Sequence, residues 1–162
     1  LKIKWGSTIE NEWEKYLGRW LRRRNVDGID GFDVRIPPDY IHGLLSLAGL
    51  ERCKPVLTPF MDKAYRADSD RELDANERAI YRSIVGKLIW MIGDRPDIAY
   101  ATKELSRNVQ QPLPEHYLAA KRILRYLQGT KDMVLHLVID KTIPTEQIEV
   151  MVDASWANAA DR

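Results

Sequence analysis

The sequence predicts an α+β chain: a helix-rich middle followed by the opening strands of an α/β domain. Three observations carry that expectation. Apolar residues from Ile80 to Ile92 recur with helical spacing, and Pro and Gly cut the stretch from 93 to 130 into two further amphipathic segments. After Gly129 the apolar period changes from helical to two. Hydrophobic content of 44% and charged content of 30% are near globular averages, so wholesale disorder is not expected. A chain of 162 residues holds one ordinary domain or parts of two.

The segment up to about residue 36 alternates too irregularly for elements to be assigned. Tyr16-Leu17-Gly18 followed by Arg19–Arg24 (RWLRRR) is compatible with a strand leading into a basic turn, and Asn25–Gly31 (NVDGIDG) is a turn by composition. Pro37-Pro38-Asp39 opens a helix with Tyr40, Ile41, Leu44, Leu45 and Ala48 at helical spacing, and Gly49 is its stop. Cys53–Pro59 (CKPVLTP) is extended, because each proline disfavours helix in the residue before it. Lys63–Leu73 is a solvated linker.

Asp74, with Glu77 three residues on, has the form of a capping box. The helix it starts carries Ile80, Tyr81, Ile84, Val85, Leu88, Ile89 and Ile92 as a continuous apolar stripe, and Gly93 ends it. Pro96 sits where a first-turn proline is tolerated, and the helix after it turns Ile98, Ala101, Thr102 and Leu105 inward. Glu115–Gln128 forms a third helix with Tyr117, Ala120, Leu124 and Leu127 along one seam. Val134–Ile139 and Ile148–Asp153 read as strands joined by a loop holding Pro144. In the second, Ile148, Val150 and Val152 face one way while Glu149, Met151 and Asp153 face the other.

Several function classes are excluded. Cys53 is alone, so there is no internal disulfide and no C-x-x-C metal or redox site, as suits a reducing compartment. No apolar run is long enough to span a bilayer, Leu1–Trp20 lacks a signal peptide's apolar core, and no membrane partner is expected. The missing initiator Met suggests a boundary cut through something larger. His42, His116 and His136 are scattered without a second ligand at metal spacing, and His116 is expected to cap or pack. No G-x-S-x-G, P-loop or G-x-G-x-x-G occurs. The formal charge of +1 is uneven. Residues 77–131 hold ten Lys and Arg against five Asp and Glu, whereas 132–162 hold two against six, a pattern that suits phosphate binding followed by a cation site.

The block Tyr81–Thr130 carries, in order, Y-R-S-I-V-G-K-L, then R-P-D-I-A, P-L-P-E-H, and a basic helix closing L-R-Y-L-Q-G-T. This succession resembles the reverse transcriptase–ribonuclease H polyprotein of copia-type LTR retrotransposons. Tyr16-Leu17-Gly18 is similar to that family's F-L-G, Tyr40-Ile41 with Leu44-Leu45 to its Y-I-x-x-L-L helix, and Cys53–Pro59 to its C-K-P-V-x-T-P. Met151–Arg162 (MVDASWANAADR) is similar to the D-A-x-W-A first strand of its ribonuclease H, with Asp161 in the following D-R. The stretch RWLRRRNVDGIDGFDVRI departs from the pattern, so no primer contacts are carried onto Arg22, Arg23 or Arg24.

The resemblance implies a domain plan. Residues 1–62 are the end of a palm/thumb-like region, 63–76 a linker, 77–139 the thumb/connection helices and a strand, and 146–162 the first strand of a truncated ribonuclease H-like domain. It implies an RNA–DNA hybrid or RNA template–primer duplex as partner, with the remainder of the Pol polyprotein. It also implies an intracellular setting, in a cytoplasmic virus-like particle or the nucleus. Lys121, Arg122 and Arg125 share one helix face by their spacing. On an arbitrary helix that face is solvated about three times in four; in this family it would meet successive duplex phosphates. Lys87, Arg95, Lys103, Arg107 and Lys131 are secondary candidates, and Arg95 equally suits a bond to a neighbouring carbonyl.

Asp153 is the one catalytic candidate. By resemblance it is one of four carboxylates holding two Mg²⁺ ions, which clamp the attacking and leaving oxygens of a phosphodiester. The later carboxylates of that set do not occur before Arg162, and no Y-x-D-D polymerase motif is present. The intact parent would copy RNA into DNA and degrade the RNA strand, whereas this chain alone is expected to catalyse neither step. The competing expectation is a decayed or co-opted structural protein that binds a host partner.

Overall fold

The computed structural model describes residues 11–61 and 71–139. Two tight turns start the fold. Leu17 and Gly18 take φ of 48° and 81°, and Asp27 and Gly28 take 54° and 81°. Positive φ at both central positions is the type I′ combination, whose twist matches that of the flanking strands. The turns therefore join β1 (Glu14–Tyr16), β2 (Arg19–Val26) and β3 (Ile29–Arg35) into consecutive antiparallel hairpins. The basic run Arg19–Arg24 is thus strand, not turn. Within 25–31 only the Asp27-Gly28 pair turns, because Asn25↔Asp30 and Val26↔Ile29 are ladder partners.

A short strand, β4 (Leu135–Val138), lies on the other side of β3, giving the order β1-β2-β3-β4 with every neighbouring pair antiparallel. The sequence reads this segment and Ile148–Asp153 as strands joined by a loop; in the structure the first closes the N-terminal sheet, and Ile148–Asp153 lies outside the described residues. Side chains alternate across a strand. By register, Arg22, Arg24, Asp33 and His136 share one face, while Arg19, Leu21, Phe32 and Val34 share the other. Arg19 links that second face to the helices through an ion pair with Asp94 at 2.5 Å.

Four helices follow β3: α1 (Pro38–Leu47), α2 (Ala75–Met91), α3 (Ala99–Ser106, preceded by a single-turn 3-10 helix at Pro96–Ile98) and α4 (Pro114–Gly129). The capping box of α2 is complete. The Glu77 N–H donates to Asp74 Oδ1 at 2.8 Å and the Asp74 N–H to Glu77 Oε2 at 3.1 Å. Tyr81, Ile84, Val85 and Leu88 are buried as the stripe requires, with Met91 completing it; Ile89, expected inside, is about half exposed. The Tyr81 hydroxyl donates to the Leu105 carbonyl at 2.7 Å, fixing α2 against α3, and burial pushes that phenol's pKa far up. His116 caps α4: its Nδ1 accepts from the Leu113 N–H at 2.9 Å.

Ile36, the inner faces of α1 to α4 and Leu73 form one apolar cluster. Residues on both sides of the expected 63–76 linker therefore share a single core. The extended segment 53–60 crosses α4 as a strap. Arg122 donates to Thr58 Oγ1 and Arg125 to the Lys54 carbonyl, both at 2.8 Å. Gly129 lets Pro55 close in, since a Cβ there would sit 2.9 Å from the proline Cβ. Among the described residues no helix is long and apolar enough to cross a membrane.

Candidate nucleic-acid interface

The apolar seam of α4 fixes where its cations go. Tyr117, Ala120, Ile123, Leu124 and Leu127 are buried, which turns Lys121, Arg122 and Arg125 to the partly exposed side. Their engagements differ. Lys121 holds its ammonium 4.3 Å above the Tyr117 ring and has no ion pair among the described residues. Both arginines are committed to the strap. Their guanidiniums keep other N–H groups, so they are structural ties first and phosphate donors second.

Arg95 is placed otherwise. It is only 3% exposed. Its Nε and Nη2 donate to the two Asp97 oxygens at 2.9 and 2.7 Å. Its Nη1 and Nη2 reach the Thr130 carbonyl and hydroxyl at 3.1 and 2.7 Å. So occupied, this guanidinium does not serve a phosphate; it ties the turn before α3 to the end of α4. The R-P-D-I-A turn thus takes the structural side of its two expected roles. Burial alone would raise the Asp97 carboxyl, but the bonds from Arg95 and Tyr126 hold it below the usual carboxylate value. Lys87 and Lys131 are both exposed. Lys87 stands 5.3 Å over the Tyr40 ring. Lys103 and Arg107 are exposed, the latter paired with Glu104.

Two clusters escape a one-dimensional reading. Tyr40 and Trp90 lie 4.7 Å apart, with the Arg19 guanidinium 4.4 Å over the Trp90 ring. Gly18 packs against Trp90, where an added Cβ would come within 3.4 Å. On the far face of the sheet, Arg22 donates to the fully buried Asp33 at 2.9 Å, and His136 Nδ1 lies 2.5 Å from the other Asp33 oxygen. Burial pushes the Asp33 carboxyl up, yet the bonds from His136 and Arg22 outweigh it and leave it lowered. The sequence signal for this set was the period-two spacing of Arg22 and Arg24; Asp33 joins their face only through the β2–β3 register. The partner His136 lies 103 residues beyond Asp33, and only register reveals it.

Asp153 and Trp156 lie outside the described residues. Among the described residues no group of three or more His, Cys, Asp or Glu converges as a metal site.

No family model and no solved structure matches the chain. Curated proteins do. The chain is 38% identical over 124 residues to a retrovirus-related Pol polyprotein from transposon RE1 of Arabidopsis thaliana, covering 75% of the chain and 8% of that protein. The corresponding protein from transposon RE2 is 36% identical over the same length and shares. That from transposon TNT 1-94 of Nicotiana tabacum is 37% identical over 97 residues, which is 56% of the chain and 7% of that protein. The chain therefore spans less than a tenth of the length of these relatives. By this similarity it belongs to the retrovirus-related Pol polyproteins of copia-type transposons, matching one segment of them.

Proposed function

We propose that this segment grips the template–primer duplex of a reverse transcriptase through backbone phosphates, and that it leaves catalysis to other parts of the polyprotein. The observation that carries this reading is the similarity to Pol polyproteins over 124 residues. The excess of basic residues in 77–131 supports it. Lys87, Lys121 and Lys131 are the primary phosphate contacts, because none of them has an ion pair among the described residues. Arg122 and Arg125 add to them while holding the strap. Contacts of this kind track charge and helix shape and carry little base readout. The intact parent would copy RNA into DNA and degrade the RNA strand with Mg²⁺ at Asp153 and further carboxylates. It would act in a cytoplasmic virus-like particle or the nucleus.

Salt dependence of binding to an RNA–DNA hybrid tests the proposal. Affinity should fall linearly on a log–log plot, with a slope of about 0.7 to 0.9 for each phosphate contact. Replacing Lys87, Lys121 and Lys131 together by Ala should flatten that slope by about two units. No binding at low salt, or a slope unchanged in the triple variant, would overturn the footprint. Salt-insensitive association with a protein partner would favour the interaction-protein reading instead.

A further inference from the structure

We propose that the sheet face turned away from Leu21 and Val34 binds single-stranded nucleic acid, with phosphates on Lys15, Arg22, Arg24 and Arg35 and a base in a groove at Gly31. The site is separate from the duplex contacts proposed for Lys87, Lys121 and Lys131 and does not rest on them. Register assembles it. Lys15 stands opposite Trp20, Trp20 opposite Arg35, Arg22 opposite Asp33, and Asp33 opposite His136, so these side chains and Arg24 share one face. The other face buries Val34 and sends Arg19 to Asp94, just after α2. The contacts of Arg22, Arg24 and Arg35 stay within the sheet and Trp13.

Charge names the class of occupant. On the strands of this face, Lys15, Arg22, Arg24 and Arg35 stand against one carboxylate, Asp33, which is fully buried. Arg22 and His136 hold the two Asp33 oxygens at 2.9 and 2.5 Å, so little negative charge reaches the surface. Lys15 is exposed, and neither it nor Arg35 has an ion pair among the described residues. The Arg35 Nε is moreover buried without a hydrogen-bond acceptor among them. A buried donor without a partner is costly, and a phosphate oxygen reaching that edge of the guanidinium would meet it. Asp27 and Asp30 border the groove. They repel phosphates and can accept from the amino group of a base, which sets the backbone toward Arg22 and Arg35 and the base toward the β2–β3 turn.

Shape selects unpaired bases. Gly31 contributes no side chain, and a groove of about 280 Å³ opens there between Val26, Ile29 and Val138, with Arg24 on its border. That is below the roughly 300 Å³ at which small-molecule pockets begin, so the groove takes one ring rather than a base pair. Its three apolar walls are exposed. Trp13 and Trp20 are both partly exposed, and Trp20 lies on the cationic face. The Trp13 ring centre is 4.6 Å from the Arg22 guanidinium and 4.3 Å from that of Arg35. An unpaired strand uses such a surface by laying its backbone on the cations and its bases on the rings, with little preference for sequence. A duplex keeps its base faces stacked on one another and cannot.

Fluorescence titration of the full chain with a short oligouridine across a salt series tests the site. Tryptophan emission should be quenched on binding, and log affinity should fall against log salt with a slope of about 0.7 for each phosphate held. Lys15→Gln combined with Arg35→Gln should lower that slope by about 1.4. Lys15→Gln alone, at an exposed position, should lower it by about 0.7 and decides the matter if loss of Arg35 loosens the sheet. Replacing Lys87, Lys121 and Lys131 together by Ala should leave the oligouridine slope unchanged, which separates this surface from the duplex footprint. No binding at low salt, an unchanged slope in both sheet variants, or a slope lost in the triple-lysine variant would overturn the proposal. Equal displacement of the oligouridine by polyglutamate of the same charge would mark the face for an acidic polypeptide and would overturn it as well.

Discussion

Arg95 shows how a single residue changes meaning between sequence and structure. In the sequence it is a cation in a basic segment; in the fold it is a buried tie with four bonds to Asp97 and Thr130. Truncating it leaves the Asp97 carboxylate without its cation and two Thr130 acceptors unmet. Arg95→Ala should therefore destabilise by about 3 kcal/mol or more in urea unfolding. Arg95→Lys should not rescue it, because an ammonium cannot reproduce the bidentate fork. The carboxylates set the acid limit. Asp33 and Asp97 are both lowered in the fold, so the native state binds fewer protons than the unfolded chain. Their stabilisation is present above the unfolded carboxylate value, about 3.9, and is lost as pH falls through the folded values. His116 acts in the same direction at higher pH. Burial lowers its pKa and the cap needs a neutral Nδ1 acceptor, so its contribution is full above the ordinary histidine value, about 6.5, and fades as pH falls below it. Thermal melts from pH 8 to 3 should show the His116 step in the wild type and not in His116→Ala.

Elements were legible where a local rule decided them. The α2 cap, the Gly49 stop and the α4 seam follow from residues a few positions apart, and the structure has each. The hairpins were missed because Asp27-Gly28 was hidden in a longer polar run, and arginine-rich β2 lacks the clean apolar alternation of a half-buried strand. What holds β2 is cross-strand chemistry: Arg22 on Asp33, and Trp13 between the Arg22 and Arg35 guanidiniums at 4.6 and 4.3 Å. Neither can be seen without register. Gly28→Ala should cost about 1 kcal/mol through its left-handed backbone, and more if the β2–β3 turn changes type. The strap depends on long-range ties of the same sort. Arg125→Ala removes its bond to the Lys54 carbonyl. It should speed proteolysis within 53–60 while leaving α4 helical by circular dichroism; unchanged cleavage would show that Arg122 and Gly129 suffice.

At the scale of the whole molecule, the chain closes on itself. The sequence suggests a boundary at 63–76, but β4 returns from the far end of the helices to pair with β3, and Ile36 and α1 share a core with α2, α3 and α4. Such closure was out of reach of periodicity, which reports what each segment buries and not against what. Arg19 adds a second stitch, its guanidinium stacked on Trp90 and paired with Asp94. A fold so joined should unfold as one unit. Of the five tryptophans, those among the described residues read the sheet through Trp13 and Trp20 and the helix junction through Trp90, whereas far-ultraviolet circular dichroism reads mainly the helices. The two urea transitions should coincide. Ile36→Ala, which empties a 2%-exposed position just after β3, should move both midpoints down together by about 2–4 kcal/mol of stability. Separate midpoints, or a shift confined to fluorescence, would mean that the sheet and the helices fold independently. A duplex held by α4 would then leave the sheet unaffected; in the single-unit fold, binding at Lys121 should protect the β3 amides as well as the helices.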